Sequence, residues 1–307
     1  MGISAEVLAL REDIVSWRRS IHMHPELGFT EQRTSKLVCD ALRSFGFDEV
    51  LTDFCKAHTA VVGILRTGRP GHVVGLRADM DALPMQDEKD VPYRSQVPGV
   101  CHACGHDGHM TVGLGAAKIL CELREQLHGT VKFIFQPAEE GVRGAQSIAE
   151  SGILDDVDWF LSGHLGMGWK TGELLALTNG FLSTTKIDAV ITGLSSHAGA
   201  SPQDGHNAIL AACSATLAMH TACQDSRGAA RLNVGTISGG TGRNVVADRA
   251  VLQLETRGET TEIERTVFGR AMSSLKGAAE MFGCTVDTKI MGSASGADSD
   301  DALEPFI

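Results

Sequence analysis

The sequence has 307 residues, of which 43% are hydrophobic and 21% are charged, so it is neither disordered nor fibrous and can hold two domains. Its 38 acidic and 27 basic residues give a formal net charge of −11, which disfavours nucleic acid and anionic membrane surfaces as partners because phosphate binding needs clustered Lys and Arg. We therefore expect a small-molecule substrate.

The chain shows no export or membrane signal. Its first residues do not lead from a basic stretch into an apolar one, and nowhere do about 18 apolar residues follow one another. We therefore expect a cytoplasmic protein. The eight cysteines are spread along the chain rather than arranged as a disulfide framework, so free thiols are expected. Four of them lie among apolar residues of predicted helices and are expected in the core: Cys39, Cys121, Cys213 and Cys223.

The N-terminal part predicts two helices and then two strands. Apolar residues spaced three to four apart predict a helix over residues 6–24, which Pro25 ends. The second helix is predicted to begin after an N-cap at Thr30 and to end at Gly46. Two strand-like runs follow, separated by a Gly-Arg-Pro-Gly turn: residues 59–65 and 72–76.

From here the pattern repeats as strand, loop and helix, and three predicted strands run directly into polar side chains. These ends carry the sequences RADMD, QPAEE and SGH, at residues 77–81, 136–140 and 162–164. In an open α/β sheet, ligands bind beyond the carboxyl ends of the strands, so the three ends should lie side by side. A helix predicted to start at Asp107 would hold the preceding segment over the same crevice. A last strand of the first domain is predicted at residues 172–177.

Residues 100–109 are the richest source of metal ligands, with two thiols, three imidazoles and a carboxylate. Thiolate and imidazole are the donors that zinc and its neighbours prefer, and Gly105 and Gly108 allow the backbone to fold tightly. Two other interpretations are open. A zinc knuckle would need a second CxxC pair, which the sequence lacks, and a redox pair is not normally embedded in histidines. We favour an open, catalytic metal site.

The neighbouring carboxylates fit such a site. One of Glu139 and Glu140 could bind metal while the other takes a proton from water. Asp79 and Asp81, two apart on an extended segment, would point the same way and could orient a ligand histidine. Taken singly, each has a plainer interpretation: the Glu pair could be solvated, the two Asp residues could cap a turn, and His164 could be structural. Their joint placement favours the metal site.

Four motifs in this order resemble the M20 metallopeptidase superfamily, in its amidohydrolase branch of N-acyl amino acid and hippurate hydrolases. They are HPELGF at residues 24–29, RADMDALP at 77–84, HACGHDGH at 102–109 and FQPAEEG at 135–141. Five later motifs resemble the same branch: TTK at 184–186, SHAGA at 196–200, DGHNA at 204–208, GRNVV at 242–246 and ETRG at 255–258. The resemblance implies a metal-dependent amidohydrolase that cleaves an N-acyl amino acid. The first candidate substrate is p-aminobenzoyl-glutamate, and other aroyl or acyl amino acids are the alternative.

The resemblance also implies roles for residues of the first domain. A site for two divalent ions, manganese or zinc with cobalt as a further candidate, would be formed by Cys104, His106, Glu140 and His164. Glu139 would be the general base that activates water and then protonates the leaving amine. Asp81 is grouped with the catalytic residues, and Cys101 is expected to be a non-ligand.

After residue 182 the predicted order is strand, helix, strand, strand, helix, strand, which is typical of a ferredoxin-like α/β sandwich. The six segments are residues 186–191, 207–221, 231–237, 250–255, 262–281 and 285–290. The expected fold is therefore α/β: an open mixed sheet with flanking helices over residues 1–182, a ferredoxin-like sandwich over 183–291, and a polar tail over 292–307. By the resemblance, the sandwich is a lid and dimerisation domain inserted in the catalytic domain.

By the resemblance, the lid pairs two subunits through its edge strand and helix, which predicts a homodimer, with a hetero-oligomer of related subunits as the alternative. His197 would reach the partner subunit's active site and stabilise the oxyanion. Asn244 and Arg257 would bind the substrate carboxylate. Such assignments suit the chemistry, because an Arg fork binds carboxylates in a bidentate manner and a donor at the developing charge stabilises it.

One departure from the family pattern is expected to matter. In the family the chain returns from the lid to complete the first domain and supplies a further histidine ligand, whereas here no histidine follows His220 and residues 292–301 are polar and acidic. We therefore expect an incomplete catalytic domain, weak binding of one metal and impaired activity. A catalytically dead relative that only dimerises or binds ligand is the alternative from another class. A zinc-stabilised structural protein would have no use for Glu139 and Glu140.

Overall fold

The computed structural model describes residues 4–141, 143–166, 170–175, 180–298, 300, 302 and 303. The chain divides into two compact units, Met1–Thr171 and Gly172–Ile307. In the described part of the chain, no helix is long and apolar enough to cross a membrane.

The first unit is a mixed five-stranded sheet with helices. Its helices are α1 (Ala5–Ala9), α2 (Arg11–Met23), α3 (Gln32–Phe45), α4 (His106–Glu122) and α5 (Gly144–Ala149), and its strands are β1 (Glu49–Leu51), β2 (Val61–Arg66), β3 (Val73–Asp79), β4 (Thr130–Gln136) and β5 (Trp159–Ser162). The strand order is β1-β2-β4-β3-β5. Strand β3 is parallel to both β4 and β5, whereas β2 is antiparallel to β1 and β4. The expected open mixed sheet is confirmed, and the three polar strand ends do lie side by side.

Both faces of this sheet are covered by apolar side chains. On one face Phe133 and Phe135 pack with Leu42 of α3 and Leu114 of α4. On the other face a smaller cluster includes Ile134 and Ile148 of α5. Burying one side chain of this size contributes about 1.5–3 kcal/mol. Packing of α4 against the sheet therefore fixes its N-terminus near the end of β3.

The ends of the early elements differ from prediction in instructive ways. The helix predicted over residues 6–24 is divided at Leu10, which caps α1 and precedes α2. The N-cap of α3 is Glu31, not Thr30, because the Thr30 hydroxyl donates to the Leu27 carbonyl instead. The left-handed Gly46, with φ of 93°, ends α3 as predicted. The short elements β1 and α5 were not predicted, since three and six residues carry little periodicity.

One predicted strand is not observed. Of residues 172–177, the first four are not in a strand, and residues 176 and 177 lie outside the described residues. Periodicity alone does not distinguish a short apolar run, such as Leu174 and Leu175, from a strand.

The second unit is a four-stranded antiparallel sheet with two helices on it. It comprises β6 (Ser183–Thr192), α6 (Ala208–Met219), β7 (Ala230–Gly239), β8 (Arg249–Gly258), α7 (Thr261–Met281) and β9 (Thr285–Ala294). The strand order β7-β8-β6-β9 is that of the predicted ferredoxin-like sandwich. Its core joins alanines of α6 to Ile187, Leu252 and Val267. Strand β9 continues to Ala294, so the first residues of the predicted polar tail pair with β6.

Helix α6 has one buried face and one exposed face, and both are apolar. Its buried positions are Ala208, Ala211, Ala212, Ala215 and Met219. Leu217 is 77% exposed and Leu210 is 50% exposed. Cys213 lies between them and is also exposed, so its prediction as a core residue was wrong. Because the helix is apolar all round, periodicity could not identify its buried face. Cys39 is buried, and Cys121 and Cys223 are half-buried.

Candidate metal centre

The centre is organised by His106, the first residue of α4, which is fully buried. Its Nδ1 lies 2.8 Å from the backbone carbonyl of Asp81 and must donate to it, so in the neutral ring Nε2 carries the lone pair. No hydrogen-bond partner for this Nε2 exists among the described residues. The nearest charged oxygens belong to Asp79 at 3.6 Å, Glu139 at 3.8 Å and Glu140 at 4.0 Å. A buried lone pair among carboxylates is costly unless a cation shares it.

Cys104 and His164 complete a group of nitrogen and sulfur donors. The Nδ1 of His164 donates to the Leu165 carbonyl at 2.9 Å, so its Nε2 again carries the lone pair, and it lies 3.5 Å from the Cys104 Sγ. One ligand atom from each of Cys104, His106 and His164 lies within 4.8 Å of the others. A second group with the same spacing contains His106, Glu139 and Glu140. Thiolate, imidazole and carboxylate at these separations fit zinc, manganese or cobalt.

The two groups share His106 and bring together all four metal ligands predicted from the sequence. These ligands come from three places in the chain: the start of α4 with the residues just before it, the loop after β4, and the residues just after β5. Gly105 has φ of 93°, a left-handed conformation that permits the sharp turn between Cys104 and His106. The predicted convergence of strand ends and Cys/His segment is therefore observed.

A third cluster, formed by Asp79, His106 and His109, has the spacing of a metal site but a different use. The His109 Nε2 accepts a hydrogen bond from the Leu165 backbone N–H at 2.8 Å, so its Nδ1 carries the proton and donates to Asp79 at 2.6 Å. His109 thus has no free lone pair. Instead it holds Leu165, the residue after His164. This role was not predicted from the sequence, although a spacing of three residues after His106 places His109 on the same helix face.

Asp79 accepts the hydrogen bond from His109 as an ionised carboxylate. Burial opposes its ionisation, but the hydrogen bond from His109 and the charge of Arg77 lower the pKa of Asp79 to about 2. The Arg77 Nη1 lies 2.8 Å from the Asp79 carboxylate. A fixed negative charge therefore stands beside the candidate cation position.

Asp81 fixes the turn that carries the two glutamates. Its carboxylate is buried and accepts the backbone N–H groups of Glu139 and Glu140, each at 2.9 Å. The His106 ring is oriented mainly by the Asp81 backbone carbonyl rather than by its carboxylate. Both carboxylates lie beside the predicted ligand histidine: an Asp79 oxygen is 3.6 Å from the His106 Nε2, and an Asp81 oxygen is 3.4 Å from its Nδ1.

The electrostatics indicate a surplus of negative charge. Burial raises the pKa of Glu139, and the neighbouring carboxylates of Glu140 and Asp79 raise it further against the opposing charges of His106 and Arg77. Burial and the same glutamates raise the pKa of the Cys104 thiol to about 12. Both shifts have the same physical cause, since burial and neighbouring carboxylates disfavour a further negative charge at this place.

A second set of buried charges anchors α4. Asp107 accepts the Nδ1–H of His22 at 2.7 Å and the Nε–H of Arg18 at 2.9 Å. Both partners belong to α2, which thereby holds the start of α4 in place. Cys101 is buried and takes part in none of the metal-spaced groups found among the described residues.

The second unit brings two of its three predicted site residues together. The His197 Nδ1 accepts the backbone N–H groups of Gly199 and Ala200 at 3.2 and 3.0 Å, so Nε2 carries a proton that it can donate. The Ala198 N–H donates to the Asn244 carbonyl at 2.9 Å, which places Asn244 beside His197. Both residues are exposed.

Arg257 is not part of this pair. Strand β8 begins at Arg249, shortly after Asn244, and Arg257 lies near its other end, roughly 25 Å along the strand from Arg249. Its Nε and Nη2 donate to the two carboxylate oxygens of Glu255 at 2.9 and 3.1 Å. The fork that was predicted to bind a substrate carboxylate is therefore occupied by a carboxylate of the same strand.

Removing divalent ions and removing His106 should have related effects. We expect a chelator to remove divalent ions from this centre, and added Mn²⁺ or Zn²⁺ to bind there again. His106→Ala should lower ion affinity by at least about 100-fold, because His106 belongs to both donor groups. Calorimetric titration with Mn²⁺ or Zn²⁺ measures this change. The matched control is His58→Ala, an exposed histidine that pairs with exposed Asp53; equal affinities for the two variants would rule out this centre.

Comparison with known proteins agrees with this geometry. Residues 75–300 match the model of peptidase family M20/M25/M40. One of the subunits of the p-aminobenzoyl-glutamate hydrolase of Escherichia coli K12 is 42% identical, over 94% of this chain and 76% of that protein. The indole-3-acetyl-aspartic acid hydrolase of Enterobacter agglomerans is 40% identical, over 93% of this chain and 76% of that protein. A solved Bacillus subtilis structure, described as a dinuclear metal binding peptidase from the M20 family, superposes with a TM-score of 0.74 at 29% identity, covering 96% of this chain and 78% of that one.

Proposed function

Given that the chain belongs to the M20/M25/M40 family of metal-dependent hydrolases, we propose that it cleaves p-aminobenzoyl-glutamate to p-aminobenzoate and glutamate. The observation that carries this proposal is the buried Nε2 of His106, which has no hydrogen-bond partner among the described residues. It belongs to two groups of candidate ligands, one with Glu139 and Glu140 and one with Cys104 and His164. Such a set offers ligands for divalent ions and leaves one carboxylate available for proton transfer.

We assign the metal ligands as Cys104, His106, Glu140 and His164, which would hold two ions, with manganese and zinc as the first candidates. When bound, the ions polarise the amide carbonyl and lower the pKa of water. Glu139 takes the proton of the attacking water and gives it to the leaving amine. It is half-exposed and its pKa is raised, which suits a group that must both accept and return a proton.

The substrate class is supported by two relatives. Their names describe amides that join an aromatic acyl group to glutamate in one case and to aspartate in the other. An aromatic acyl amide of an acidic amino acid is therefore the substrate class that we favour, and hippurate-type aroyl amino acids are the alternative. A cytoplasmic location is part of the proposal, since all eight cysteines are free thiols.

Substrate binding in the second unit is assigned with different support for each residue. Asn244 lies beside His197, and the geometry supports a shared role for them at the substrate. Arg257 remains a prediction from the sequence, because Glu255 occupies its guanidinium. A Glu255→Gln variant would weaken this internal pair, and improved substrate binding would then favour the predicted role of Arg257.

The proposed function is tested by release of p-aminobenzoate from p-aminobenzoyl-glutamate by the purified chain with Mn²⁺ or Zn²⁺. Indole-3-acetyl-aspartate and N-benzoylglycine are assayed in parallel. Highest kcat/KM on the glutamate amide supports the proposal. Highest kcat/KM on N-benzoylglycine would replace the substrate by the alternative, and no hydrolysis of any of the three by metal-loaded protein would overturn it.

We further propose a homodimer that forms through the second unit. Helix α6 presents the exposed apolar residues Leu210, Cys213 and Leu217, and β7 is an edge strand whose one neighbour among the described strands is β8. Exposed apolar patches and unpaired strand edges are surfaces that proteins cover by association. In this dimer, Nε2–H of the partner's His197 would donate to the oxyanion of the tetrahedral intermediate.

This arrangement predicts complementation between two inactive variants. His197→Ala should lower kcat by about 10²–10³-fold, the usual loss for one oxyanion donor. Mixing it with Glu139→Gln, under conditions that exchange subunits, should restore up to about 25% of wild-type activity, because half of the dimers are mixed and each has one intact site. The rate of p-aminobenzoate release is measured before and after mixing. If His197 served its own chain, the mixture would stay inactive.

A further inference from the structure

Glu31 follows the HPELGF motif, and none of the roles assigned above uses it. It is fully buried at the N-cap of α3. One carboxylate oxygen accepts the Thr59 hydroxyl at 2.7 Å, and the other accepts the backbone N–H of Ala138 at 2.9 Å. No cation lies within ion-pair distance of it in the part of the chain that the structure describes, and burial raises the pKa of Glu31. A buried carboxylate with neutral partners is costly, so its contacts need a reason.

The residue that it holds has an unusual backbone. Ala138 has φ of 50°, in the left-handed region that residues other than glycine rarely adopt. It is buried, and it immediately precedes Glu139 and Glu140. Its carbonyl accepts the backbone N–H groups of Arg143 and Gly144, both at 3.2 Å. A Cβ on Gly28 would lie 3.0 Å from the Ala138 Cα, so the turn is also confined sterically.

Glu31 and Asp81 together bind three successive backbone N–H groups. Glu31 accepts from Ala138, and Asp81 accepts from Glu139 and Glu140. Releasing Ala138 would allow its φ to relax towards negative values and would rotate the next two residues. The two side chains at stake are the proposed general base and a proposed metal ligand.

We propose that Glu31 is a positioning residue, which holds Ala138 in its left-handed conformation and thereby aims Glu139 and Glu140 at the metal centre. The inference deepens the proposed function and rests on it. The carboxylate of Glu31 contacts Thr59 and Ala138, and Glu31 is not one of the proposed metal ligands. It acts from 107 positions away in the sequence, through one backbone hydrogen bond.

The hydrogen-bond pattern predicts which substitutions are tolerated. Glu31 faces one N–H donor and one hydroxyl, and a hydroxyl can also accept. In Glu31→Gln the amide oxygen can therefore accept from Ala138 while the amide nitrogen donates to Thr59. The raised pKa of Glu31 agrees with tolerance of a neutral group at this place. Glu31→Ala leaves the Ala138 N–H without a partner.

The experiment compares kcat, KM and Mn²⁺ affinity of the full chain in a set of variants. Glu31→Ala should lower kcat by about 10–100-fold and Mn²⁺ affinity by about 10-fold, with KM changed less, because base and ligand are misaligned. Glu31→Gln should stay within about threefold of wild type. Adding Ala138→Gly to Glu31→Ala should recover part of kcat, about threefold or more, because glycine adopts the left-handed conformation without strain.

The matched control is Glu26→Ala. Glu26 lies five positions earlier, within HPELGF, and its carboxylate accepts the backbone N–H groups of Arg33 and Thr34 rather than one from the turn at residues 137–140. Its loss should lower Tm by about 2–4 °C and leave kcat unchanged. A fall in kcat equal to that of Glu31→Ala would mean that Glu31 acts only through general stability, and the proposal would be overturned.

Two further outcomes are decisive. If Glu31→Ala does not fold, Thr59→Val can be tested instead, since it removes only the hydrogen bond from the Thr59 hydroxyl to Glu31. This variant should lower kcat by a smaller factor than Glu31→Ala. Unchanged kcat in that variant would contradict positioning. If the wild type hydrolyses none of the amides, the proposed function fails, and Mn²⁺ affinity still tests Glu31: equal affinity in Glu31→Ala and wild type would overturn the inference.

Discussion

Glu139→Gln should lower kcat by about 10²–10⁴-fold, the usual contribution of a general base, while KM changes little. Glutamine keeps the size of the side chain but cannot take a proton from water. Glu139 lies 3.8 Å from the His106 Nε2, and its backbone N–H is held by Asp81, so the substitution leaves the turn in place. The loss should therefore appear in kcat and not in folding.

The measurement is p-aminobenzoate release at saturating substrate, with metal content determined on the same samples. Unchanged metal content is part of the expectation, because the proposed metal ligands are Cys104, His106, Glu140 and His164, and Glu139 is not among them. Glu122→Gln serves as the control, since Glu122 lies at the other end of α4. A Glu139→Gln variant with more than about one tenth of wild-type kcat would assign proton transfer to another group.

Asp81→Asn should be nearly as damaging, although it changes only one atom and removes one charge. Both carboxylate oxygens accept backbone N–H groups, from Glu139 and Glu140. An asparagine would turn its NH₂ group towards one of these donors. The loss of a buried, charge-assisted hydrogen bond costs about 1.5–3 kcal/mol, and the opposed donors add to it.

The expected consequences are a kcat lowered by about 10–100-fold and weaker metal binding, since the turn presents both the base and a ligand. Enzyme kinetics and Mn²⁺ titration test this, with Asp40→Asn as a control because exposed Asp40 pairs with exposed Lys36. The contrast with Glu31→Gln is informative. At Glu31 an amide can replace the carboxylate, because one of its two partners is a hydroxyl that can accept a hydrogen bond. At Asp81 an amide cannot satisfy both partners, because both are backbone N–H groups. If Asp81→Asn is tolerated as well as Glu31→Gln, the Asp81 carboxylate does not position the turn.

The convergence of the segments that carry Cys104, His106, Glu140 and His164 could be anticipated from local signals, whereas the choice of these four as ligands followed from the family resemblance. The Cys/His segment contains donors within a few residues, and polar residues directly after buried parallel strands meet at one edge of the sheet. The order of elements in the ferredoxin-like unit was predictable in the same way, from patterns of period 2 and 3.6.

The residues that support the centre could not be found by these signals. His109 and Glu31 act through single hydrogen bonds to the backbone of Leu165 and Ala138, 56 and 107 positions away. Nothing in the local sequence distinguishes such a buried acceptor from an exposed one, since its partner is chosen by tertiary packing. The exposed face of α6 was missed for a related reason, because a helix of mostly alanine and leucine has no polar face to mark its orientation.

The hydrogen bonds that hold the metal centre also decide when it can form during folding. Glu31 reaches Ala138, and His109 reaches Leu165, only across long stretches of intervening chain. Contacts of this kind form late in folding, because closing a long loop lowers the entropy of the chain before the contact contributes any stability. Capture of divalent ions should therefore wait until the first unit has folded, so that the ions load a finished protein and do not serve as its folding nucleus.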